Sequence, residues 1–94
     1  MLTITHKGVG ALDTPLGPQD VSYVLTVIRT AVAEEGYGHV QSKQVDFGAL
    51  SAAGEPLSLQ LETGGNVKIV LTSAAGERAV FGTTEAIPGS LFAR

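Results

Sequence analysis

The pentapeptide Ser51-Ala52-Ala53-Gly54-Glu55 recurs as Ser73-Ala74-Ala75-Gly76-Glu77, and each copy lies between two segments of alternating apolar and polar residues. Such a repeat predicts two similar turns. Three-residue hairpin loops commonly place a left-handed residue in the third position, where Gly54, Gly65 and Gly76 each fall. With loops at Ala52–Gly54, Thr63–Gly65 and Ala74–Gly76, the apolar residues align across four strands. Ala49, Phe47 and Val45 then face Leu57, Leu59 and Leu61. These in turn face Leu71, Ile69 and Val67, and Leu71, Ile69 and Val67 face Ala79, Phe81 and Thr83. The pattern predicts an antiparallel meander over 43–50, 56–62, 67–72 and 78–84.

Upstream, Val21, Val24, Leu25, Ile28 and Val32 recur at helical spacing, with Ser22, Thr26, Arg29 and Ala33 opposite them. Pro18 suits a first helical turn, Asp20 the positive end of the helix dipole, and Gly36 a left-handed cap. The β-branched run Val21 to Ile28 admits a strand as well, but the Ala-Val-Ala-Glu-Glu-Gly finish favours a helix over 18–36. Residues 2–5 alternate and read as a short edge strand, 7–17 as a Gly/Pro loop anchored by Val9, Leu12 and Leu16, and 85–94 as a tail. The expected fold class is α+β: one amphipathic helix packed on a four-stranded antiparallel meander, with a short N-terminal edge strand.

Ninety-four residues make one domain, 1–94. The 44% hydrophobic and 16% charged content is that of a folding chain. A net charge of −3, without a basic patch or an aromatic stacking row, argues against nucleic acid as a partner. The absence of cysteine removes disulfides, thiolate metal sites and a cysteine nucleophile. The first residues lack a signal-peptide core and no run approaches the ~20 apolar residues of a membrane span, so the expectation is a cytoplasmic protein with no membrane partner.

Chemistry-bearing motifs are sparse. His6 and His39 have no partner at metal-ligand spacing, and Gly36 and Gly38 separate Glu35 from His39, so no metal or cofactor is expected. Glu34 and Glu35, adjacent on a helix, would diverge by about 100° and form no acid/base pair. Lys7-Gly8-Val9-Gly10-Ala11 fits neither the dinucleotide fingerprint nor the P-loop. No catalytic residue is assigned.

On the outer sheet face the expected register gathers Leu50, Val70 and Val80 into an apolar patch bordered by Arg78 and Lys68. Tyr23 and Val27 flank the helix's apolar stripe and extend either the core or an interface. These seven residues form the candidate interface. The occupants considered are the chain's own tail, through Ile87, Leu91 and Phe92 after a Pro88-Gly89 bend, a second subunit, or a protein partner. The resulting expectation is a small non-enzymatic protein-binding or assembly module, acting through its hairpin loops and outer sheet face as a homodimer or with a partner. The alternative is a small-molecule-binding domain with a pocket between helix and sheet, lined by Phe47, Phe81, Tyr23 and Arg29. A small enzyme using His6 or His39 ranks third.

Overall fold

The computed structural model describes residues 1–84, 87 and 91. Its six strands are β1 (Leu2–Thr14), β2 (Gly17–Arg29), β3 (Glu34–Gln41), β4 (Leu57–Gln60), β5 (Asn66–Ala75) and β6 (Arg78–Thr83), with one helix, α1 (Phe47–Ala53), between β3 and β4. Every neighbouring pair is antiparallel, and the order β1-β2-β3-β6-β5-β4 closes into a barrel. The expected helix-on-meander arrangement is overturned: closure pairs the sheet edges that an open meander would leave exposed.

The largest correction concerns 18–36. Val21, Tyr23, Leu25 and Val27 alternate strictly, and all four are buried on the inner face of β2. Helical spacing arose because Val24 and Ile28, on the outer face, are apolar too, so both faces of one strand together imitated a helical stripe. The β-branched content favours the strand conformation, in which branched side chains pack on a pleated surface. Gly36 caps no helix. It is a buried inward position on β3, where an added Cβ would approach the Thr83 methyl to 2.9 Å, and its N–H donates to Thr83 Oγ1 at 2.9 Å.

The 7–17 segment is likewise no loop. β1 runs unbroken to Thr14 and pairs with β2 from Leu2↔Arg29 to Thr14↔Gly17. Leu12 is buried in the core, whereas Val9 and Leu16 are exposed. Inward positions 8 and 10 are glycines because the barrel is narrow there. A Cβ on Gly10 would lie 2.0 Å from the Gln60 carbonyl oxygen on β4. Interior glycine is what a sharply coiled small barrel requires where strands approach each other. The β1–β2 turn has Pro15 and Leu16 at its centre; Thr14 Oγ1 donates to the Gly17 carbonyl at 2.7 Å and accepts from Leu16 N–H at 3.3 Å.

The repeated pentapeptide adopts two structures. Its first copy ends α1: Asp46 accepts the Ala49 N–H at 3.1 Å as N-cap, and Gly54, at φ +68°, closes the C-terminus in the left-handed region. The expected strand over 43–50 is therefore replaced by a loop and this helix. The second copy ends β5, and Gly76-Glu77 is a two-residue turn with Gly76 at φ +62° in its first central position. The intervening turn also differs from expectation, since Gly64 rather than Gly65 takes a positive φ. Both downstream hairpins are thereby displaced by two residues: Leu59 faces Val67, Ile69 faces Thr83 and Leu71 faces Phe81, with a bulge at Thr72. A two-residue slip keeps every side chain on its face. Leu57, Leu59, Leu61, Val67, Ile69, Leu71, Ala79 and Phe81 are accordingly all buried.

The two barrel ends are closed differently. At the end holding the β1–β2 and β5–β6 turns, α1 packs against β5 and inserts Phe47 into the core. At the other end Ile87 and Leu91 are buried, Ile87 near Gly36 and Leu91 near Leu61 and Gly65. The tail residues described thus belong to the core rather than to a cover over the outer face; Phe92 and the Pro88-Gly89 bend lie outside the described residues.

Candidate functional site

Two cross-strand rows on the outside of β2, β3, β6 and β5 make an exposed apolar surface on the barrel wall. In the first, Val24 lies beside His39 and His39 beside Val80; in the second, Thr26, Tyr37, Gly82 and Val70 follow one another. Tyr37 is 53% and Val80 45% exposed, while Val24 and Val70 are half-buried. Gly82 leaves a gap in the second row, so the Tyr37 ring and Val70 flank a shallow trough. Neither row contains an acidic, lysine or arginine side chain. Charges border the rows instead: Lys7 beside Val24 on β1, Glu35 on β3, Arg78 on β6 and Lys68 on β5. An apolar centre with a polar rim is the usual anatomy of a protein interface.

Of the seven sequence-predicted interface residues, the barrel brings Val70 and Val80 together in this surface, with Lys68 and Arg78 exposed on the same strands. Leu50 lies elsewhere, half-buried on α1 at the barrel end. Tyr23 and Val27 are interior, because the helix edge they were expected to extend is an inward strand face. The Tyr23 hydroxyl accepts the Glu62 N–H at 3.0 Å, which satisfies its polar tip and ties β2 to the β4–β5 loop. Sequence reasoning missed Val24, Tyr37 and His39. Their signal was the period-two spacing of Tyr37 and His39, hidden by reading Gly36 as a helix stop.

The histidines have separate roles. His6 points inward from β1, and its Nε2 lies 2.7 Å from the Leu91 carbonyl. A carbonyl only accepts, so Nε2 carries the proton and the ring ties β1 to the tail. His39 stands between two valines on the outer face. Glu34 pairs with Arg29 at 2.9 Å beside the Thr30–Ala33 turn, an exposed contact of the kind that contributes less than about 1 kcal/mol. Among the described residues no group of three His, Asp or Glu side chains could hold a metal ion.

The expected pocket between helix and sheet is not formed by its four proposed lining residues. Phe47, Phe81 and Tyr23 fill the core, and Arg29 is exposed at the β2–β3 turn. Another cleft, of about 340 Å³, lies outside the barrel between α1 and the β1–β2 turn. No described helix is long and apolar enough to cross a membrane. Compared with protein-family models, with curated proteins and with solved structures, the chain matches none.

Proposed function

We propose that the protein is a non-enzymatic assembly module that pairs with a second copy of itself through the outer face of β2, β3, β6 and β5. The observation carrying this reading is the exposure of Tyr37 and Val80 beside Val24 and Val70 in a region free of acidic, lysine and arginine side chains. Symmetry favours self-pairing over a foreign partner. Glu35 and Arg78 lie at opposite ends of the surface, three cross-strand rows apart on adjacent strands. A two-fold axis running across the strands through its centre sets Glu35 of one copy over Gln41 of the other, beside Arg78, twice, and sets Tyr37 over the His39–Val80 row. Isologous interfaces are self-complementary in this way, and two-fold dimers are the commonest oligomers. An aromatic ring at the centre of such a patch is the expected anchor.

Light scattering on the eluting protein is expected to give twice the chain mass for the unaltered protein and the chain mass for Val80→Glu, with an unchanged circular dichroism spectrum. Burying that carboxylate should weaken pairing by about 3 kcal/mol, more than a hundredfold in Kd. Glu35→Arg and Arg78→Glu should each weaken the dimer, and the double exchange should restore it. A monomeric unaltered protein, or a dimer indifferent to Val80→Glu, overturns the reading.

A further inference from the structure

The cleft between α1 and the β1–β2 turn has a composition distinct from the outer-face patch. Its apolar walls are Pro15 and Leu16 on one side and Val45, Ala49, Leu50 and Ala53 on the other. Alanines at 49 and 53, one turn apart on α1, leave the space that larger side chains would fill. Leu16 is 92% exposed at the mouth, in a turn held by both Thr14 hydroxyl contacts. Leu50 and Val45 also pack against the core, so the floor is anchored to the barrel. At about 340 Å³ the space falls at the small end of the ~300–1,000 Å³ range of ligand sites.

Polarity around the cleft selects among ligands. Gln19 and Gln44 supply two neutral amides, and Asp46 is the one charged side chain in the lining. One Asp46 oxygen caps α1 through the Ala49 N–H, and a carboxylate retains further lone pairs for a second donor. Lys43, the nearest basic residue in sequence, belongs to a different hollow with Val9, Asp20 and Glu77. An anionic head group would meet the Asp46 carboxylate with no lysine or arginine in the lining, whereas an ammonium would be attracted.

We propose that this cleft binds a small amphiphile with an apolar body and an amine head, the body against Leu16, Val45 and Leu50 and the ammonium at Asp46. The test is an amide-proton and nitrogen NMR titration with three probes of similar shape: 2-phenylethylamine, neutral 2-phenylethanol and anionic 3-phenylpropanoate. The amine should shift the amides of 14, 16, 17 and 19 and of 44–53 saturably, the alcohol should bind roughly tenfold more weakly, and the acid should give no saturable shift. Asp46→Asn keeps a good helix cap and should reduce the advantage of amine over alcohol to within about twofold. Ala49→Phe should fill the cleft and abolish the amine's shifts while leaving spectral dispersion intact. The proposal is overturned by an absence of saturable shifts at these amides, by equal binding of amine and alcohol or of amine and acid, or by an amine advantage that survives Asp46→Asn. These readouts are independent of dimer formation through the outer face.

Discussion

Replacing Gly38 with alanine is expected to abolish the native barrel or leave it barely stable, with a loss of the order of 3–5 kcal/mol from a total near 5–10 for a domain of this size. Gly38 lies in β3 between Leu25 of β2 and Phe81 of β6. A Cβ there would fall 1.8 Å from the Val24 carbonyl oxygen and 2.9 Å from its carbon. Both are backbone atoms of the neighbouring strand, so no side-chain rotation relieves the overlap. The strands must separate, and the hydrogen bonds from Ser22↔Gln41 to Arg29↔Glu34 are strained together. Gly48→Ala is the informative control. Gly48 lies in α1 with only the Asp46 carboxylate, at 3.4 Å, near the added methyl, so alanine should raise stability by about 0.5–1 kcal/mol through helix propensity. Urea unfolding followed by circular dichroism measures both. A Gly38→Ala protein of unaltered stability would mean that β2 and β3 do not approach as described.

Phe47→Ala is expected to cost about 3–5 kcal/mol, the range for a large side chain removed from a packed core. In a domain of under a hundred residues that lowers Tm by roughly 20 °C, read by calorimetry. Phe47 is completely buried, although it belongs to a seven-residue helix at the end of the barrel. Seven residues are too few for a stable isolated helix. α1 persists because Phe47 anchors its first turn, Asp46 caps its start and Gly54 closes its end. Losing the ring therefore removes core volume and also frees the segment that positions Ala49, Leu50 and Ala53. Phe47→Leu, which keeps much of the volume, should cost less than half as much. A Phe47→Ala protein within 1 kcal/mol of the unaltered chain would contradict the placement of the ring.

The inner faces of β4, β5 and β6 were legible in the sequence because alternation survives a two-residue change in register. Leu59 faces Val67 rather than Ile69, yet all three residues are inward. The left-handed glycines of the repeat were legible too, since Gly54 and Gly76 share nearly the same φ. What surrounds them was not. Five identical residues end a helix in one place and a strand in the other, because Phe47 finds the core upstream of one copy and β6 pairs beyond the other. Barrel closure itself was hidden in glycines. Gly8, Gly10, Gly36 and Gly38 read locally as loop and cap residues, whereas they occupy inward strand positions that a narrow barrel leaves too little room to fill. For the candidate surface, Val70 and Val80 followed from alternation alone. Tyr37 and His39 required knowing that β3 exists, and Tyr23 and Val27 required knowing that β2 is not a helix.

The seam between β1 and β4 spans only Ala11–Asp13 against Gln60–Ser58, whereas β1 and β2 pair along their whole lengths. The β1–β2 and β5–β6 hairpins close short chain loops and can zip locally. The seam joins residues about half the chain apart, and its few bonds offset the entropy of closing that loop only once both halves are organised. It is therefore expected to complete late in folding, after the transition state. Strengthening it should slow unfolding while leaving the folding rate nearly unchanged, and amide exchange at Ala11 and Gln60, which pair across the seam, should report the first opening of the native barrel.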